Sequence, residues 1–197
     1  MFSTRVIATA LVAVMLAAVP ARADVLFIPF FGVNFGGDSG KEFSEALDTS
    51  QFNWGASLAF MGAGIFGMEA DVGFSPDFYG KTDAGGSNAI TATGNLIVGI
   101  PFGGQKGFGL RPYGIVGAGL LRSTSDFGTG VAEFDENNLT WSAGGGVLLF
   151  FGTRAGIRFD VRYFRTFDDL EILGLPIAQS PGKVDFTRGS LGFVLRF

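Results

Sequence analysis

The sequence predicts an all-β chain: an eight-stranded antiparallel up-and-down transmembrane β-barrel. Three observations carry that prediction. Hydrophobicity repeats every second residue rather than every 3.6. Short and long connections alternate along the chain. The last segment, Gly189 to Phe197, sets Leu191, Phe193, Leu195 and Phe197 on one face and closes on the aromatic, where ends of water-soluble domains usually fray into polar residues. Composition agrees, with 47% hydrophobic residues, 23 Phe and 32 Gly. A chain this apolar without spanning helices either fills a large core or shows its apolar side chains to lipid on strands.

Two segments divide the chain: a signal peptide over residues 1–23 and one barrel domain over 24–197. Arg5 supplies the positive start, Val6 to Val19 the apolar run, and Ala21-Arg22-Ala23 the small-x-small cleavage site. About 14 apolar residues fall short of the roughly 20 a spanning helix needs, so the segment is expected to be removed, leaving Asp24 first. No Cys follows, which excludes a lipid anchor and any disulfide. Without Arg5 and Arg22, 12 Lys and Arg face 18 Asp and Glu, a net charge near −6 that offers nucleic acid no footprint.

The eight strands are expected near 25–36, 52–61, 65–79, 89–102, 107–123, 139–151, 155–167 and 183–197. In the second, Phe52, Trp54, Ala56, Leu58 and Phe60 alternate with Asn53, Gly55, Ser57 and Ala59. The third sets Phe66, Met68, Ala70, Val72 and Phe74 against Gly67, Glu69, Asp71, Gly73 and Ser75. The fourth runs Ile90, Ala92, Gly94, Leu96, Val98, Ile100 against Thr91, Thr93, Asn95 and Gly99. In the seventh, Ile157, Phe159, Val161 and Tyr163 oppose Arg158, Asp160 and Arg162. The first, fifth and sixth leave their phase open, because both faces are apolar or rich in Gly.

Tight turns at Gly62-Ala63-Gly64, Gly103 to Lys106 and Gly152-Thr153-Arg154 alternate with connections near 37–51, 80–88, 124–138 and 168–182, which are mostly longer, polar and acidic. That rhythm is the layout of an outer-membrane barrel, turns on the periplasmic side and loops outside. Phe60, Phe66, Phe102, Phe108, Phe150, Phe151 and Phe197 are expected to form the lower aromatic girdle. Trp54, Phe74, Phe78, Tyr79, Trp141, Tyr163 and Phe167 are expected to form the upper one.

These residues resemble the small eight-stranded outer-membrane barrels of the outer membrane protein A and OmpX type. The likeness rests on the signal, the turn-and-loop rhythm, the opening Phe30 to Gly37, the segment Gly156 to Arg165 and the closing Arg188 to Phe197. It implies residence in the outer membrane of a Gram-negative bacterium. Among its partners would be outer-membrane lipid, lipopolysaccharide and the barrel assembly machinery, which would read Leu191, Phe193, Leu195 and Phe197 as its signal. It is the single-domain members that the chain is similar to, without a peptidoglycan-binding domain after the barrel.

Eight strands enclose a lumen just wide enough for side chains to fill. Glu69 and Asp71 on the third strand and Arg158, Asp160 and Arg162 on the seventh share the polar phase, and those strands face each other across the ring. Arg pointing at lipid near the midplane costs roughly 2–4 kcal/mol, so the inward phase is expected. With Arg188 on the eighth strand, these residues should form a luminal charge network. It either plugs the barrel as structure or gates a narrow, porin-like ion path.

Catalysis meets an obstacle: the chain has no His and no Cys, so it cannot assemble a Ser-His-Asp triad, a Cys nucleophile or a His-based metal site. Glu69 and Asp71 could in principle work as carboxylates alone, but the Arg residues beside them make ion pairing the better explanation. Gly62 to Gly67 fits G-x-G-x-x-G but precedes a strand rather than a helix. Asn138-Leu139-Thr140 fits a glycosylation sequon in a chain that reads as bacterial. Glu133, Asp135 and Glu136, or Asp168, Asp169 and Glu171, could hold a cation through oxygen, though neither has EF-hand spacing. The expectation is therefore a monomeric, non-enzymatic scaffold without cofactors, presenting loops for envelope integrity or adhesion. The alternatives are the gated channel and a soluble periplasmic ligand-binding barrel, whose lumen would be apolar.

Overall fold

The computed structural model describes residues 24–36, 52–61, 64–76, 87–103, 107–125, 134–167, 170–172, 175–178 and 184–197. The expected signal peptide and most of the long connections lie outside these. Among the described residues, eight strands form a closed ring: β1 (Asp24–Phe35), β2 (Phe52–Met61), β3 (Phe66–Pro76), β4 (Ser87–Gly99), β5 (Gly109–Ser125), β6 (Phe134–Phe151), β7 (Ala155–Thr166) and β8 (Asp185–Arg196). Each pairs antiparallel with the next, and β1 pairs with β8 to close the ring, so these strands leave no edge open. An ion pair between Asp24 and Arg196 and the Phe197 N–H donating to the Val25 carbonyl (2.9 Å) fasten the closing seam at its turn end.

Boundaries shift where backbone pairing outruns the hydrophobic signal. β6 begins at Phe134 rather than 139, because its ladder with β5 continues to Phe134↔Ser125. Asp135 and Glu136 therefore belong to a strand and not to a loop. β4 ends at Gly99, just before Pro101, which lacks the N–H a ladder needs. A short strand, Phe102–Gly103, then pairs with the start of β5. In the fourth connection, Leu170–Ile172 and Leu175–Ala178 form a small hairpin of their own. Gly152, at φ +80°, makes the turn between β6 and β7 in a conformation that other residues rarely adopt.

Register settles the three open phases. β1 points Leu26, Ile28, Phe30 and Asn34 inward and Phe27 and Phe31 outward. β5 points Tyr113, Ile115, Leu121 and Ser123 inward, with Leu110, Val116 and Leu120 outside. β6 points Asn138, Thr140, Ser142, Leu148 and Phe150 inward. One expectation is corrected here: Phe150 is buried (6% exposed) while Phe151 beside it is 49% exposed, so Phe151 alone belongs to the outer wall. Consecutive strand residues face opposite sides, and two adjacent Phe cannot share a girdle. Phe66, Phe102, Phe108 and Phe197 are exposed at the turn end, whereas Phe60 is only half-buried. Trp54 pairs edge-on with Phe74 (5.5 Å) and Trp141 with Tyr163 (5.7 Å) toward the loop end. Phe78 and Tyr79 lie outside the described residues.

The lumen is layered. At the turn end Leu26, Ile28, Ala59, Met61, Ile97, Ile115, Leu148, Phe150 and Val194 form an apolar cluster. Toward the loops Ala89, Leu121, Phe164, Val184 and Phe186 form a second, with Phe164 and Phe186 stacked at 5.0 Å. Charged and polar residues fill the space between.

Candidate functional site

Alternation on β3 sends Ala70 and Val72 outward and Glu69 and Asp71 inward; on β7 it does the same for Phe159 and Val161 against Arg158, Asp160 and Arg162. With Arg188 on β8, the six are each at most 3% exposed, and the structure brings all of them together. Glu69 pairs with Arg158 and with Arg162 (2.8 Å), so one carboxylate receives two guanidiniums from the opposite wall. Asp160 pairs with Arg162 and with Arg158 (3.1 Å) on its own strand. Asp71 pairs with Arg188 (2.6 Å) and stands 3.7 Å from Arg162. Three carboxylates thus meet three guanidiniums, and the belt carries no net formal charge. Each charge has an opposite charge within ion-pair distance, the condition under which burying ions does not cost several kcal/mol apiece.

Neutral polar residues complete the belt, and sequence reasoning missed them. The Arg158 Nε–H donates to Tyr113 Oη (2.6 Å), and Tyr113 donates in turn to Asp160. Asn95 donates to Glu69 (3.2 Å) and Ser57 to Asp71 (2.7 Å). Asn53, Asn34 and Ser75 form a separate chain, at 2.7 and 2.8 Å. The available signal was phase: each sits on the inward set of its strand, but Tyr113 and Asn34 lay on strands whose phase the sequence left open. Arg188 lies between the rings of Phe30 (4.7 Å) and Phe164 (4.8 Å), and Arg158 sits over Tyr113 (4.9 Å). Glycines make the room. A Cβ on Gly73 would meet Arg188 Nη1 at 2.5 Å, and one on Gly146 would meet Tyr113 Oη at 2.5 Å.

The other candidate positions fall elsewhere. Leu191, Phe193, Leu195 and Phe197 occupy the lipid-facing phase of β8 and its end, Phe193 and Phe197 being exposed. Asn138 of the sequon points into the lumen at 1% exposure, out of reach of any modifying enzyme. Ile65 and Gly67 of the G-x-G-x-x-G match lead into β3, not a helix. Glu133, Asp168 and Asp169 lie outside the described residues, and no group of three or more carboxylates able to hold a metal occurs among those described.

A closed antiparallel ring with an apolar outer wall and a charged lumen defines a class: the β-barrels that cross the outer membrane with their strands. The family called outer membrane protein beta-barrel domain matches residues 9–197, and the chain belongs to it, which places the protein in the outer membrane. Among solved structures it is similar to the N-terminal barrel of OprF from Pseudomonas aeruginosa (13% identity, TM-score 0.55, 88% of this chain and 97% of that one). It is also similar to Neisserial surface protein A (10%, 0.59, 88% and 97%). A third likeness is to Ail, the attachment invasion locus protein of Yersinia pestis, in complex with the heparin analogue sucrose octasulfate (14%, 0.52, 89% and 99%). At such identities the likeness is one of fold. Among curated protein sequences there is no significant match.

Proposed function

We propose that the protein is a non-enzymatic scaffold of the outer membrane with a closed lumen, presenting its four long connections outside the cell for envelope integrity or adhesion. The observation that carries this reading is the belt of Glu69, Asp71, Arg158, Asp160, Arg162 and Arg188, neutral in sum and stacked on an apolar cluster at the turn end. An ion entering from the loops would meet the upper apolar cluster, then paired charges, and then the apolar cluster at the turn end. Ail, by its name an attachment protein, has the same fold and lends the adhesion arm its support. Partners in this reading are outer-membrane lipid and lipopolysaccharide along the outer wall. The assembly machinery would read Leu191, Phe193, Leu195 and Phe197, and the barrel would act as a monomer.

A gated narrow channel is the competing reading, favoured by one feature. Around Asp71, Arg162 Nη1, Arg188 Nε and the Thr93 hydroxyl have no hydrogen-bond partner among the described residues, so this side of the belt is less tightly knit. Planar-bilayer recording of barrel shown to be folded by heat-shifted gel migration separates the two. Electrical silence is expected. Discrete steps that change in Arg162→Ala would overturn the closed-lumen reading.

A further inference from the structure

The turn-side rim carries a cavity of about 640 Å³ lined by Asp24, Thr153, Arg154, Leu195, Arg196 and Phe197. Its walls are of two kinds. Leu195 and Phe197 lie on the lipid-facing phase of β8 and its end, Phe197 largely exposed, at the level of exposed Phe151 and Phe108, whose rings sit 6.1 Å apart. Thr153 and Arg154 are exposed in the turn between β6 and β7. Arg196 turns inward, where Asp24 is its counter-ion and the Phe150 ring lies 5.5 Å beneath it. The Arg196 N–H donates to the Arg154 carbonyl (2.8 Å), so the turn is tied to β8 and the backbone carrying Arg154 is fixed.

Asp24 thus answers Arg196, whereas the guanidinium of Arg154 has no side-chain partner among the described residues. A free planar fork of donors, a hydroxyl beside it and an apolar wall running down into the membrane together fit one chemistry, a phosphodiester that carries acyl chains. We propose that this rim cavity binds the headgroup phosphate of an anionic phospholipid in the leaflet on the turn side. Arg154 grips the phosphate, Thr153 donates to it, and Leu195 and Phe197 lie along the glycerol and upper acyl carbons. Inorganic phosphate would find the same donors but nothing to gain from the apolar wall. Lumen conduction plays no part, so the inference stands or falls apart from the closed-lumen reading.

The test is lipid retention. Folded protein is extracted in mild detergent from vesicles of equal phosphatidylglycerol and phosphatidylcholine, and the lipids that stay with it are quantified. Wild type should retain phosphatidylglycerol over phosphatidylcholine by about fivefold, the factor expected of one cation near an anionic surface. Arg154→Gln, with its heat-shifted gel migration unchanged, should fall to parity. Arg165→Gln, on the outer wall near the loop end, should keep the preference. Equal retention by wild type, an unchanged Arg154→Gln, or an equal loss in Arg165→Gln would overturn the proposal. Displacement of the lipid by excess inorganic phosphate would overturn the lipid assignment in favour of phosphate alone.

Discussion

Arg162 faces three carboxylates at once: Glu69 and Asp160 as hydrogen-bonded ion pairs, and Asp71 at 3.7 Å. Arg162→Ala removes the partner and leaves buried anions behind, so the barrel should lose about 3–5 kcal/mol, measured by urea unfolding in detergent micelles. Adding Glu69→Ala should cost less than the sum of the two single changes, because each removes a charge the other was needed to balance. Tyr113→Phe deletes one hydroxyl that accepts from Arg158 and donates to Asp160. The loss should be about 1–3 kcal/mol by the same assay, since both groups it serves stay buried. Unchanged unfolding in either variant would mean that the belt relaxes around the gap.

Strands carry a different lesson, visible in β6. Phe150 and Phe151 are adjacent in sequence and opposite in environment, one in the apolar cluster at the turn end and the other on the outer wall. Phe150→Ala should open a cavity and cost about 3–5 kcal/mol, while Phe151→Ala, whose neighbour is fluid lipid able to fill the space, should cost clearly less. Equal losses would mean that the register of β6 is wrong. The alternation that placed β2, β3, β4 and β7 was legible because polar or small residues alternate with apolar ones along most of each strand, Ala59, Met61, Ile97 and Phe164 being inward exceptions. β5 and β6 hid their phase behind Gly114, Gly117, Gly119 and Gly144 to Gly146, and only pairing with the neighbouring strands fixed it.

The ring as a whole depends on joining its two ends. β1 and β8 are 150 residues or more apart in sequence, and closing such a loop carries an entropy cost that local contacts do not repay. Asp24 and Arg196, partly exposed, hold the turn end of that seam. Asp24→Asn should therefore cost little at equilibrium, about 0–1 kcal/mol, and show first as a lower temperature for the loss of heat-shifted gel migration. A large loss of stability would mean that the seam is held chiefly by this pair.

From the sequence alone follow the eight strands, the even alternation of turns and loops, the inward phase of Glu69, Asp71, Arg158, Asp160, Arg162 and Arg188, and the likeness to outer-membrane barrels. The strands, the turn-and-loop rhythm and the inward phase are written in period-two patterning or in the spacing of turn residues, and the likeness adds the signal segment; all are local properties. What only the tertiary structure decided is who meets whom: Tyr113 between Arg158 and Asp160, Asn95 on Glu69, Arg188 between Phe30 and Phe164, Phe150 inside. The shear and tilt with which eight strands close into a ring set these meetings. Closure is a property of all the strands together, which no single segment encodes.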